Sequence, residues 1–325
     1  MGTENVITLK QLAELSGLSV RTVGRALSGH PYVSPDKRAL VLGLARKYRY
    51  TPNMAARNLR LQRKNFVGIL FDNYKLSSDS RLLNMLNRRL AANGFWPLLG
   101  CVAERASFDR MLHEWAGVAE YVIVLHELDL AALDHLFDLS ARLPLKFIYA
   151  DCLRSSGDYA FAVDRVASVR NLVRELSDMG FRHLLYCGSL ANRGDGVELA
   201  KRDDLPLRIS SIASPFEFED GVRLGSRIAA SGADVVFFDT DRMAMGFYRY
   251  AVEHRVAIPR DIAAVGFDDE LFSDCLTPPL SSLAHPRQQI IDRIMDILRT
   301  GDPPPREPLL MELVRRASLE LPAHP

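Results

Sequence analysis

The chain has 325 residues, 25% of them charged and 48% hydrophobic, a balance that suits folded domains with more than one core and excludes a disordered chain. No stretch reaches the roughly 20 apolar residues that cross a bilayer, and the start, MGTENVITLK, lacks the basic-then-apolar pattern of a secretory signal. A cytoplasmic protein is expected.

The net charge of +1 hides a division: residues 1–65 hold twelve Lys and Arg against Glu4, Glu14 and Asp36, which leaves +9 on the head and −8 on the remainder. A basic head on an acidic body concentrates attraction to a polyanion at one end. Cys101, Cys152, Cys187 and Cys275 are widely spaced, with no CxxC pair and no zinc-ligand spacing. They read as ordinary small residues, with neither metal nor disulfide framework.

In chain order, Thr8 is placed to cap a helix over LKQLAELS, with Leu9, Leu12, Ala13 and Leu15 as its apolar stripe and Gly17 as its stop. Ser19 is placed to cap a second helix, VRTVGRALS, with Val20, Val23, Ala26 and Leu27 about one turn apart. So short a break between helices that must bury their stripes against each other describes a helix-turn-helix. Pro35 opens a third helix behind Ser34, and Ala39, Leu40, Leu42, Gly43 and Leu44 are expected to close the small core. The second helix would enter the major groove and present Arg21, Thr22, Gly24, Arg25 and Ser28. Arg21 and Arg25, four apart, share a face, and either can reach guanine O6 and N7. Ser19 and Thr22 suit phosphates. Gly24 lowers helix stability and is expected to serve a close approach to DNA or to the first helix.

TPNMAARNLRLQRKN follows. Pro52 fits the first turn of a helix capped by Thr51, with Met54, Ala55, Ala56 and Leu59 as a thin apolar face. Too short and too polar to fold alone, it reads as a hinge helix that orders on DNA through Asn53, Ala56, Arg57, Leu59 and Arg60. Arg57 and Arg60 can meet phosphates, and Leu59 can wedge between base steps in the minor groove.

From Phe66 onward, apolar stretches that read as strands (FVGILF, FWPLLGCV, YVIVLH, LKFIYA, HLLYCG, LRISSI, DVVFFD, IAAVGF) alternate with helical patterns. This βα alternation calls for parallel sheets covered on both faces. Eight strands exceed one tidy sheet of this length, so two lobes are expected, meeting near residues 163–165. Open sheets of this kind bind ligands beyond their strand carboxyl ends. The candidates there are Asp72, Asn73, Tyr74, His126, Tyr149, Asp151, Asp164, Thr240, Asp241, Asp268 and Asp269. Such acidic and amide groups suit a sugar, nucleoside or similar polyol. His126 fits equally well as a packed loop residue.

Several stretches together resemble the LacI/GalR family of bacterial repressors: TLKQLAELSGLSVRTVGRALSGHPYVSPDKRALVLGLARKYRYTPNMAARNL, FRHLLYCGS, DRMAMG, IPRDIAAVGFDDE and TPPLSS. The resemblance extends over nearly the whole chain. It implies an all-α helix-turn-helix domain over 1–50, a hinge helix and linker over 51–65, and an α/β two-lobed domain like the periplasmic binding proteins over 66–325. The chain would cross between lobes near 163–165 and again near 280–290, with a helix over PRQQIIDRIMDILRTG and a closing strand in LMELVRRASL. The resemblance also implies a homodimer on duplex operator DNA and a small-molecule effector between the lobes. It places Val20, Arg21 and Arg25 at base-reading positions, Leu59 at the paired hinge leucine, Asp268 as an acceptor for ligand hydroxyls, and Asp241 in a local capping role.

The departures bear on the effector. Gly24 and Ser28 replace the usual Ser and Asn, and Asp164-Arg165 and Thr240-Asp241 replace Asp-Asn and Asn-Asp. The usual Arg-x-x-Gly-Tyr or Arg-x-x-Gly-Phe is missing; GSLANRGDGVELAKRDDLPLRISS stands in its place, with a helix expected to be shortened or missing. Arg193 or Arg202 would have to replace the effector-binding arginine. The loop FDNYKLSSDSR is short of the usual aromatic pair, so a standard hexose pocket is not expected.

No nucleophile elbow, phosphate loop, dinucleotide fingerprint or HExxH appears, and GSLANRGDG has the wrong spacing for a phosphate motif. Clustered aspartates can imitate a glycosidase pair, but such an enzyme has no use for the basic head. No enzyme, cofactor or metal is expected. The alternative is a small-molecule sensor that acts through protein partners instead of DNA.

Overall fold

The computed structural model describes residues 7–50, 64–71, 76–101, 105–125, 130–152, 157–189 and 193–320. Two compact units divide between Lys64 and Asn65. Expectations that fall on Asn53, Ala56, Arg57, Leu59, Arg60, Asp72, Asn73, Tyr74 and His126 lie outside the described residues.

The first unit holds helices α1 (Leu9–Ser16), α2 (Val20–Leu27) and α3 (Pro35–Lys47). Thr8 and Gln11 form a reciprocal capping box on α1, and Gly17 ends it in the left-handed conformation at φ 65°. Ser19 caps α2 through the Thr22 N–H. Ser34 precedes α3 without a side-chain cap, and Pro35 at the first position sets the entry instead. The core consists of Leu12, Ala13, Val23, Ala26, Val33, Val41 and Ala45. The face of α3 therefore differs from the expected one: Val41 and Ala45, one turn apart, point inward, Leu42 and Leu44 are partly buried, and Ala39, Leu40 and Gly43 face solvent. With so small a core, Leu12→Ala would cost about 2–5 kcal/mol.

The second unit contains two sheets. The first has the order β2-β1-β3-β4-β5 and is parallel throughout. It is built from β1 (Phe66–Phe71), β2 (Trp96–Cys101), β3 (Ala119–Leu125), β4 (Lys146–Ala150) and β5 (Tyr159–Phe161), with helices α4 (Leu76–Ala92), α5 (Arg105–Ala116) and α6 (Leu130–Ser140).

The second sheet includes β6 (His183–Gly188), β7 (Arg208–Ala213), β8 (Val235–Phe238), β9 (Ala263–Asp268), β10 (Ser281–Ala284) and β11 (Glu312–Val314). Its order is β11-β10-β9-β8-β6-β7, with only β10 and β11 antiparallel. Its helices are α7 (Arg165–Asp178), α8 (Arg193–Ala200), α9 (Phe218–Ala229) and α10 (Asp241–His254); α11 (Arg287–Thr300) returns to pack on α4 and β4 of the first lobe. The helix expected to be shortened or missing is present as α8, eight residues long.

All eight strands read from the apolar stretches form, β11 falls in the expected closing stretch LMELVRRASL, and β5 and β10 join them. β5 and β11 have three residues each, and β10 has four, too short for a periodic signal. The LSSL stretch belongs to the second sheet as β10, so the return to the first lobe begins after Ala284. The chain crosses between lobes a third time between α11 and β11. There Leu309 pairs with the first crossing: its N–H donates to the Ala162 carbonyl (2.9 Å), and its carbonyl accepts from the Asp164 N–H (2.8 Å).

Glycines set the closest helix contact. A Cβ on Gly246 of α10 would lie 1.9 Å from the Phe218 carbonyl oxygen, and one on Gly221 of α9 would lie 2.0 Å from that of Met243. The DRMAMG stretch thus brings α9 and α10 together backbone to backbone.

Candidate functional site

On the head, α2 exposes Arg21 and leaves Arg25 half-buried, and neither forms a salt bridge among the described residues. The nearby hydroxyls are engaged in local structure. Ser19 Oγ accepts the Thr22 N–H (3.1 Å) and bonds Thr22 Oγ1 (2.8 Å), Ser28 Oγ donates to the Arg25 carbonyl (3.2 Å), and Thr8 Oγ1 accepts from Gln11 (3.3 Å). The two arginines are the side chains left to reach outward, with their helix end fixed by the Ser19 cap. Val20 is partly buried against the core. Around Gly24 an added Cβ would meet nothing within 4 Å, so packing against the first helix does not explain it.

In the second unit, the strand carboxyl ends of the two lobes face each other. Arg81, near the start of α4, donates from Nη1 to the carbonyl (2.8 Å) and carboxylate (3.2 Å) of Asp269, just beyond β9. Arg316 holds the other carboxylate oxygen at 2.7 Å. Asp268 and Asp269 both have left-handed backbones, at φ 91° and 51°, uncommon for residues other than glycine. Asp268 lies partly exposed at this junction, and its carbonyl accepts from Arg287 Nη2.

Several expected effector residues prove to have structural work instead. Asp151 is buried at the end of β4. Its carboxylate accepts from Arg165 Nη1 (2.9 Å), Arg165 Nη2 (2.6 Å) and the Val163 N–H (3.0 Å), with His285 Nε2 3.1 Å away. It fastens the first two crossings together. Asp164 caps α7 through the Ala167 N–H (2.8 Å). Tyr149 packs beside Phe137 and Phe147 in the core of the first lobe, and burial raises its phenol pKa.

The Thr240 hydroxyl caps α10 by accepting the Met243 N–H (3.1 Å) and donates to the Phe216 carbonyl (2.7 Å). Capping was expected of Asp241. That residue is instead fully buried and turned toward the β9 loop. Its carboxylate accepts from the Glu270 N–H (2.7 Å), Ser273 Oγ (2.6 Å) and Ser282 Oγ (2.7 Å). Desolvation outweighs these bonds and pushes its pKa up to about 7. Gly266 leaves it room, since a Cβ there would lie 1.9 Å from Asp241 Oδ1.

Arg193 begins α8 at the carboxyl end of β6, whereas Arg202 lies beyond the far end of α8, before β7. An eight-residue helix is about 12 Å long, so Arg202 sits at the opposite edge of the sheet from the cleft. Residues that sequence reasoning passed over include Arg81, His285, Arg287 and Arg316, whose roles arise from pairings between residues far apart in the chain or from a helix start. Phe216, 46% exposed beside Thr240, adds an aromatic surface at the end of β7. Among the described residues, no cluster of His, Cys, Asp and Glu could hold a metal ion.

A helix-turn-helix head ahead of a two-lobed binding body defines a DNA-binding transcriptional regulator with an effector-binding domain. Residues 8–53 match the model for bacterial regulatory proteins of the lacI family, and residues 173–319 match that for a periplasmic binding protein-like domain. The head is therefore similar to that of bacterial regulatory proteins of the lacI family, and the body to periplasmic binding proteins.

It is 27% identical over 336 residues to the HTH-type transcriptional regulator AscG of Escherichia coli K12, covering 97% of this chain and 99% of that one. Its fold is similar to that of the lac repressor dimer bound to operator and an anti-inducer (TM-score 0.74, 21% identity, 96% and 99% of the two chains). It is also similar to the regulator CelR in complex with cellobiose (TM-score 0.62, 22% identity, 96% and 99%).

Proposed function

We propose that this chain is a repressor that binds a twofold-symmetric operator as a homodimer and is controlled by a sugar or related polyol held between its lobes. The observation that carries the reading is the pair Arg21, exposed, and Arg25, half-buried, on one face of a helix whose start is capped and whose other face is buried. Such a helix fits a major groove and offers two bidentate donors to guanine edges.

A head with so small a core gives limited affinity alone, and two heads about one helical turn apart multiply it. The similar lac repressor is described as a dimer on operator, and CelR as a complex with cellobiose. Asn53, Ala56, Arg57, Leu59 and Arg60 would order as hinge helices on the minor groove, with Leu59 prying a base step. Asp268 would accept ligand hydroxyls, with Asp72, Tyr74, His126 and Arg193 as further candidates around the cleft. Effector binding would change how closely the lobes approach, and with it the population able to order both hinges. Among the described residues, no helix is long and apolar enough to cross a membrane, which supports action in the cytoplasm.

Selection of binding sequences from a random duplex pool tests this reading. A palindromic consensus of fixed half-site spacing is expected, with Leu59→Ala reducing DNA bending. Equal, purely salt-dependent binding to every duplex would overturn it.

A further inference from the structure

Four arginines gather where the lobes meet, and three of them have carboxylate partners. Arg165 pairs with Asp151 at 2.6 Å, and Arg81 and Arg316 share Asp269 at 3.2 and 2.7 Å. Among the described residues, Arg287 makes no ion pair. It is only 7% exposed, and its guanidinium gives one hydrogen bond, from Nη2 to the Asp268 main-chain carbonyl. A guanidinium has five N–H donors, so most of this buried cation's donors meet no acceptor among the described residues. Burial foremost, then the like charge of Arg81, push its pKa down, although Asp268, Glu270 and Asp269 offset part of this at longer range.

Arg287 is also the first residue of the 14-residue α11, whose N-cap is Pro286 and which has no side-chain cap. The open N–H groups of that first turn add positive potential where the guanidinium already lies. A cation with so little access to water and one neutral acceptor is poorly solvated, and an ionised ligand group would relieve that cost.

We infer that the effector carries an anionic oxygen group, a carboxylate or a phosphate, on its hydroxylated frame, and that Arg287 receives that group. This rests on the reading of the cleft as the effector site. The planar guanidinium matches either group in a bidentate pair. Asp268, a negative charge at the same junction, takes hydroxyls and repels the anion, so donor and acceptor fix the ligand's direction. A neutral sugar leaves the buried cation as it was and gains correspondingly less.

Thermal unfolding of the full-length protein tests this at constant ionic strength. The probes are inorganic phosphate and matched sets of hexoses and pentoses with their uronates, aldonates, 1-phosphates and terminal phosphates, each at millimolar concentration. Saturable increases in Tm are expected from acids or phosphates, with each neutral parent weaker by at least about tenfold; the carboxylate and phosphate arms tell the two sources apart. Arg287→Gln should erase the preference, Arg287→Lys should keep part of it, and ligand-free Arg287→Gln should melt no lower than wild type, because a buried charge that is only partly compensated is gone.

A neutral sugar as effective as its acid overturns the inference, as does the absence of any saturable response to the anions. A neutral-sugar response lost in Asp268→Ala but kept in Arg287→Gln overturns the anion while leaving the cleft reading standing. Responses unchanged in both variants overturn the cleft reading as well.

Discussion

One guanidinium spans the two walls of the cleft: Arg81, from the first helix of the amino-terminal lobe, donates to both the main-chain carbonyl (2.8 Å) and the carboxylate (3.2 Å) of Asp269 in the other lobe. Arg316 holds the same carboxylate from within the second lobe. The loop after β9, which carries Asp268, is therefore bound to both lobes at once.

Arg81→Ala should loosen that connection with little loss of overall stability. The Arg81 side chain is 36% exposed, so the pair contributes about 1 kcal/mol or less. Amide exchange at residues 268–270 should quicken and the radius of gyration should rise. Unchanged exchange would show that the pair does not restrain the lobes.

Arg21→Ala should cost about 1–3 kcal/mol on the selected operator and relax the preference at one base pair. Competition binding against single-base operator variants measures this. Uniform weakening across all variants would assign Arg21 to a phosphate.

Two glycines should respond to alanine with opposite signs. Gly24→Ala faces open space on α2 and should stabilise the head by about 1 kcal/mol. Operator affinity that falls despite this would place DNA against that face. Gly246→Ala drives a Cβ to 1.9 Å from a carbonyl oxygen and should destabilise the body by about 1–3 kcal/mol. Denaturant unfolding of each variant gives both values.

Asp241 sets a pH dependence. Its folded pKa of about 7 lies above the ordinary carboxyl value of 3.8. Between those values the folded state binds the proton and the unfolded state does not. Stability should therefore fall as pH rises from about 4 to about 7 and level off above, by up to a few kcal/mol. Asp241→Asn should flatten this segment of the curve, and unfolding titrations at stepped pH would show it. It should also lower stability at pH 8, because an amide cannot accept from all three donors now converging on the carboxylate.

Much of the fold could be read from local chemistry. The boundaries of α1 and α2 followed from Thr8, Gly17 and Ser19, because capping residues act within three positions of a helix end. α3 was placed but not oriented. Apolar residues surround it, and periodicity alone could not choose Val41 and Ala45 over Leu40 and Gly43. The cleft was harder. A carboxylate at a strand end looks the same in sequence whether it greets a ligand or a distant cation. Asp151 finds Arg165 and His285, and Asp269 finds Arg81 and Arg316, across separations that only the folded topology brings together. The third crossing was hidden for the same reason, since Leu309 is recognisable as a connector only beside Val163.

The pairing of Val163 with Leu309 joins the first and last crossings into one hydrogen-bonded ribbon. Two strands bonded side by side resist shear and swivelling far better than two separate tethers do. The lobes are therefore confined to opening and shutting like the covers of a book about that spine, and the cleft mouth travels furthest. Small angular changes are thus converted into the largest displacements at the edge farthest from the ribbon.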